Sequence, residues 1–173
     1  ALMHATRKGH TQAVKALLAN KRTDPYIKDR IGDTALILAA KKEHYETITV
    51  LLDDERTDPN IQDENGMTAL LIAVAEGHTE AITALLANKR TDPNIKNQHG
   101  NSALLIAAAE GHTETIKALL ANKRTDPNIK IQHGNSALLI AASNGYNAAI
   151  TAVLDDERTE PSIIYENGYS ALI

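Results

Sequence analysis

The chain has no cysteine, no tryptophan and no phenylalanine. Without cysteine it has no disulfide, no thiolate metal ligand and no thiol nucleophile, a usage that suits a reducing, cytoplasmic compartment. Its five tyrosines are its only aromatic residues. The core must therefore be aliphatic, and no aromatic platform is available on which nucleobases would stack. No apolar run approaches the roughly 20 residues of a membrane span. No signal-peptide pattern and no Asn-x-Ser/Thr sequon occur. Neither a phosphate-cradling glycine loop nor a His-Glu-x-x-His pair is present. These absences lead us to expect no cofactor, no metal, no nucleic acid, no membrane association and no enzymatic activity.

Proline and glycine are also few, and their placement is informative. All five prolines, Pro25, Pro59, Pro93, Pro127 and Pro161, are spaced 34 residues apart. The nine glycines occupy two phases of the same period: Gly32, Gly66, Gly100, Gly134 and Gly168 in one, Gly9, Gly77, Gly111 and Gly145 in the other, with Glu43 in the vacant place. Arg22, Arg56, Arg90, Arg124 and Arg158 follow the period too. When every backbone-punctuating residue obeys one period, the period belongs to the architecture, and a period of this length means a stacked array of small modules. The expected organisation is one elongated domain without a linker: a partial repeat 1–28, repeats 29–62, 63–96, 97–130 and 131–164, and a partial repeat 165–173. With no initiator Met and partial repeats at both ends, the sequence is expected to be a piece of a longer protein.

Within a module the spacing predicts helix, reversal, helix and extended finger. Ser102 precedes "ALLIAAAE" as an N-cap, as Thr34, Thr68, Ser136 and Ser170 do in their repeats. The segment after it is apolar nearly all round, which demands burial on several sides. Gly111 stops it. "HTETIKALLANK" carries one apolar stripe, Ile116, Leu119 and Leu120, and so is buried on one face. Asp126-Pro127 ends it, because the residue before proline avoids helical angles. Helices this short are marginal alone in water, so neighbouring modules must supply the missing apolar wall.

The residues that carry this pattern also resemble a known family. Asp63-x-x-Gly66-x-Thr68-x-Leu70, Ala73, Gly77-His78, Ile82, Leu85-Leu86 and, after Asp92-Pro93, Asn94 are similar to the ankyrin repeat, four complete copies and partial ones over the whole chain. The resemblance implies an all-α solenoid of stacked helix-turn-helix repeats with hairpin fingers. It implies a concave surface of fingers and first helices, and a binding role. Two departures stand out. Ala35, Ala69, Ala103 and Ala137 replace the family's proline, and Ile37, Leu71, Leu105 and Leu139 its histidine. The segment between the second helix and Asp-Pro is one residue longer than usual, leaving its conformation open.

Histidines at one phase, His10, His44, His78 and His112, are expected to bond the backbone at helix starts. Equivalent positions lie about 10 Å apart, whereas zinc takes its ligands near 2 Å. The segments after the second helices alternate between "ANKR" and "DDER", which suggests pairing of Glu55 with Lys21 or Lys89, and of Glu157 with Lys123, across adjacent repeats. Charge is distributed unevenly: residues 1–42 hold nine Lys/Arg against three Asp/Glu, and the remainder nine against nineteen.

Through the resemblance, the variable finger and first-helix-end residues form the binding set: Arg30, Lys41, Lys42, Glu64, Met67, Glu76, His99, Asn101, Glu110, His133, Asn135 and Tyr169. The expected function is a scaffold that binds a protein or peptide partner on the concave face, as a monomer. The alternative is a substrate-recruiting module of a larger enzyme or bacterial effector whose catalytic part lies elsewhere, which would place it in a host cytosol.

Overall fold

A computed structural model of the chain describes residues 1–131 and 134–161. It is all-α, and among these residues no strand forms beyond one isolated bridge between Lys130 and Ser136. No described helix is long and apolar enough to cross a membrane. The chain divides into two compact units, Ala1–Asp92 and Pro93–Ile173.

The first unit holds α1 (Leu2–Arg7), α2 (Thr11–Ala19), α3 (Ala35–Lys41), α4 (Tyr45–Asp53), α5 (Ala69–Glu76) and α6 (Thr79–Ala87). Each first helix packs on its own second helix. The first helices α1, α3 and α5 stack side by side, as do the second helices α2, α4 and α6. Thr34 and Thr68 start α3 and α5 with extended backbone, and their hydroxyls accept from Ile37 N at 3.3 Å and Leu71 N at 3.2 Å. All of Ala69 to Val74 is buried, so α5 is walled in on every side. On α4 and α6 a single stripe is buried, including Ile48, Leu51, Ile82 and Leu85. Burying each such side chain stabilises the fold by roughly 1.5–3 kcal/mol. Gly77 ends α5 in the left-handed region at φ 73°. Glu43 takes the same conformation after α3 at φ 56° without being glycine, a strain of roughly 1–2 kcal/mol.

The fingers are tight hairpin turns. Asp29 Oδ1 accepts from the amides of Ile31 and Asp33 at 3.1 and 3.0 Å, and Asp63 repeats this toward Asn65 and Met67. Glu64 N donates to Ile31 O at 3.2 Å, tying one finger to the next. This approach explains the glycine at position 32: a Cβ there would sit 2.8 Å from Glu64 N.

The lengthened loop resolves into two consecutive Asx turns. Asp54 accepts from Arg56 N at 3.0 Å, and Asp58 from Asn60 N at 2.9 Å. The Asn or Asp shared by "ANKR" and "DDER" is thus a turn residue in either version. Of the two partners expected for Glu55, Lys21 and Lys89, Lys21 forms no ion pair with it among the described residues. Instead the arginine of the loop reaches back one repeat to backbone carbonyls. Arg56 donates to Leu18 O and Thr23 O, both at 2.8 Å, and Arg90 to Leu52 O and Thr57 O, both at 2.6 Å. A guanidinium presents its donors in a fixed fork, which suits two carbonyls on one loop. Where the turn residue is Asp it also binds the arginine of its own loop, Arg56 Nε to Asp54 Oδ1 at 2.9 Å. That hydrogen bond holds the Asp54 carboxyl below the usual carboxylate range, against the opposing effect of burial.

The second unit repeats the plan with α7 (Ala103–Glu110), α8 (Thr113–Ala121), α9 (Ala137–Ser143) and α10 (Asn147–Leu154). Ser136 caps α9 by accepting from Leu139 N at 3.4 Å. Ser102 is an exception: it holds the N-cap position of α7, but its buried hydroxyl makes no cap bond and has no partner. Ser170 lies outside the described residues. Arg158 clamps Leu120 O and Thr125 O at 3.0 and 2.8 Å, and its guanidinium holds the Asp156 carboxyl low. The suggested pair of Glu157 with Lys123 is likewise replaced by Asp156–Arg158. Asn94 and Asn128 extend each finger base toward the following loop, donating to Arg124 O at 2.7 Å and Arg158 O at 2.8 Å.

Of the four histidines, His78 bonds backbone and His44 covers it, in neither case that of its own helix, whereas the buried Nδ1 of His112 has no hydrogen-bond partner. None of His10, His44, His78 or His112 makes a side-chain cap bond. His78 Nδ1 lies 2.9 Å from Ala40 O in the preceding first helix. The ring of His44 covers Gly9, where a Cβ would come within 3.0 Å of it, and Tyr146 covers Gly111 at 3.1 Å in the same way.

Candidate protein-binding face

In the first unit the finger turns and the C-terminal ends of α1, α3 and α5 present the variable residues. Asp29 anchors the turn and leaves Arg30 exposed beside it. Lys42 is the exposed C-cap of α3, and Glu76 the exposed last residue of α5. Glu64 is exposed on the next finger, with Met67 half-buried at its base.

Lys41 is drawn inward. Its Nζ lies 2.8 Å from both carboxylate oxygens of Asp33 and 3.9 Å from Asp63 Oδ2. Asp33 is 1% exposed. Lys41 is therefore a structural partner first, its side chain only partly exposed on the face. The sequence holds a signal for this. Asp33 and Lys41 change together, becoming Met67 with Ala75, Asn101 with Ala109, and Asn135 with Ser143 in later repeats.

Three further residues belong to this surface. Arg7 pairs with Asp29 at 3.6 Å, joining the end of α1 to the next finger. Lys8 is the exposed C-cap of α1, and Ile31 is 54% exposed on the fingertip.

In the second unit, His99 is exposed and Asn101 half-buried on a finger turn. Asn97 Oδ1 fixes that turn by accepting from their amides at 2.9 and 3.0 Å. Glu110 is exposed at the end of α7, and Asn135 is half-buried before α9. His133 and Tyr169 lie outside the described residues. At the position of Asp29, Asp63 and Asn97, repeat 131–164 has Ile131, which supplies no side-chain acceptor for its turn.

The face therefore offers charges and hydrogen-bonding groups on backbone that the turns hold in place. No group of three or more His, Asp or Glu placed to hold a metal ion occurs among the described residues. Open notches occur in the second-helix layer. One of about 490 Å³ between α8 and α10 is lined by Leu120, Ala152 and a mixed rim of Lys123, Asp155 and Glu157. Neither its lining nor its place in the fold overlaps the residues above.

Residues 1–63 and 50–133 match a sequence-family model described as ankyrin repeats, three copies. The fold is similar to the crystal structure of EF0377, an ankyrin repeat protein, with 28% identity and TM-score 0.87 over 99% of this chain and 87% of that one. It is also similar to the ankyrin repeat domain ABAYE2397 from Acinetobacter baumannii AYE, with 26% identity and TM-score 0.86 at the same coverages. No curated protein is significantly similar to it in sequence.

Proposed function

We propose, from the premise that this chain belongs to the ankyrin repeat family, that it is a scaffold that takes a protein or peptide partner on its fingers and first-helix ends. Ankyrin repeats generally mediate protein–protein interactions. Within each unit, successive repeats offer a finger and a first-helix end to the partner. The observation that carries the reading is the separation of roles between side chains. Side-chain turn acceptors such as Asp29, Asp63 and Asn97, the caps Thr34, Thr68 and Ser136, and the clamps of Arg56, Arg90 and Arg158 fix the backbone. The residues that vary, such as Arg30, Lys42, Glu76, His99 and Glu110, stand exposed on that fixed backbone. A prearranged surface limits the ordering cost of binding. With little apolar area on offer, the partner is held by polar contacts and a few anchors, not by a large hydrophobic interface.

The test is affinity capture with the intact protein from its own cell. Binding should be lost when Arg30, Lys42, Glu76, His99 and Glu110 are changed to alanine together. It should survive when Lys15, Glu80 and Lys117 on the second helices are changed instead. Equal retention by both variants would place the binding surface elsewhere.

A further inference from the structure

We infer that the unit formed by residues 1–92 accepts a dipolar acidic peptide. Its Asp/Glu cluster seats on Lys8, Arg30 and Lys42, and its Lys or Arg, about three residues along, meets Glu76. This rests on the reading of the face given above and adds the chemistry of what binds there.

Lys8, Lys42 and Glu76 occupy the same place in three consecutive repeats, at the ends of α1, α3 and α5. Those helices pack side by side, so each step from one residue to the next is about 10 Å. All three are exposed. A lysine at a helix C-terminus complements the dipole, which would be explanation enough if every repeat had one. Glu76 stands at that place against the dipole, so the helix end does not itself demand a cation. The fingertips change sign at the same repeat boundary, from Arg30 to Glu64. Two structurally independent positions on one face thus reverse charge in register.

The cations of this face fall into two groups. Arg7 is engaged by Asp29 and Lys41 by Asp33, both within the unit. Lys8, Arg30 and Lys42 have no carboxylate partner within ion-pairing distance among the described residues. They form an uncompensated cationic patch at one end of the face, bordered by Glu76. A polymer of uniform negative charge, such as a nucleic acid, would have to continue over that acidic border and be repelled by it. A peptide whose sign reverses would not. An extended chain advances about 3.3 Å per residue, so the 10 Å from Lys42 to Glu76 corresponds to about three residues.

The experiment is selection of a random dodecapeptide display library on the full chain at low salt. The expected consensus is an acidic cluster with a Lys or Arg about three residues from it. A synthetic peptide of that consensus should bind about tenfold more weakly to Lys42→Glu and to Arg30→Glu. Because screening weakens exposed charge contacts, its affinity should also fall steeply with salt. The double exchange Lys42→Glu, Glu76→Lys should prefer the peptide with its charge order reversed. Thermal melts of each variant establish that it is folded, and Lys42→Gln, which cannot repel, should show an intermediate loss. A consensus lacking acidic residues, a failure to enrich any peptide, or tighter binding of oligothymidylate or anionic vesicles than of the peptide would overturn the inference. Peptides of another chemistry that still require Arg30 and Glu76 would sink the charge assignment and leave the face standing. Peptides indifferent to both residues would sink the face as well.

Discussion

Replacing Lys41 with alanine tests whether a residue that the sequence assigned to the proposed binding face is held there for stability. The ammonium contacts both oxygens of Asp33 at 2.8 Å. Asp33 is 1% exposed, whereas the Lys41 side chain is 32% exposed. Removing one partner of a fully buried pair costs about 3–5 kcal/mol, because the other charge is left buried without compensation. Here water reaches the lysine, so the expected cost of Lys41→Ala is discounted to about 1–3 kcal/mol. Asp33→Met should cost less, about 1 kcal/mol or under, because the stranded lysine can turn into solvent. The chain carries its own control: Met67 and Ala75 occupy these positions one repeat later. The double variant Asp33→Met, Lys41→Ala should therefore lie within about 1 kcal/mol of the parent, since apolar replacement of a buried pair is often neutral or stabilising. Urea unfolding followed by far-UV circular dichroism measures all four corners of the cycle. If Lys41→Ala costs no more than Asp33→Met, or the double variant is the least stable of the four, the pair is not held as described.

Other expectations follow from the caps, the acidic turns and the core. Asp54 and Asp156 have carboxyl pKa values held below their ordinary value by Arg56 and Arg158. Their stabilisation is therefore complete above the unfolded pKa of about 3.9 and is lost as pH falls through the lower folded value. Asp54→Asn with Asp156→Asn keeps both turns, as Asn88 does, so the melting temperature should drop near neutrality and decline less steeply below about pH 4; an unchanged acid limb would refute the assignment. Thr68→Ala should cost about 1 kcal/mol, whereas Ser102→Ala should be neutral or slightly stabilising, because its hydroxyl is buried without a partner. Equal costs in chemical denaturation would contradict that distinction. Leu104→Ala, at a site 1% exposed, should destabilise by about 2–5 kcal/mol, and a shift under about 1 kcal/mol would show the core to be elsewhere.

The repeat was legible because proline and glycine leave so few backbone alternatives. Pro25 through Pro127 and the two glycine phases located turns such as those at Gly32, Gly77 and Gly111, and the apolar stripe Ile116, Leu119 and Leu120 located a buried face that the structure retains. The destination of the arginines was not legible. Arg56, Arg90 and Arg158 donate to main-chain carbonyls about one repeat back. Every residue carries a carbonyl, so sequence complementarity cannot point to particular ones. The same limitation misled the pairing of Glu55 with Lys21: opposite signs in register suggested an ion pair, but Asp54 already sits within its own loop's reach of Arg56. Lys41 was readable only by comparing repeats at two positions together, since Asp33 alone resembles an ordinary polar turn residue. The long loop keeps one conformation in both versions because Asn and Asp are equivalent turn acceptors, a property independent of charge.

This division has a consequence for which residues are free to change. Within each unit the arginine clamps that link repeats end on backbone oxygens, and the turns close on the acceptors Asp29, Asp63 and Asn97. Substitution at Arg30, Lys42 or Glu76 touches none of these bonds, so the face can vary in charge while the stacking that displays it stays intact. Lys41 breaks the rule because a buried acid, Asp33, was placed behind it, and the later repeats escape the constraint by pairing a neutral residue with a small one. A stability screen across the face should therefore be nearly flat except at positions 33 and 41, whereas a binding screen should respond at the positions where the stability screen is silent.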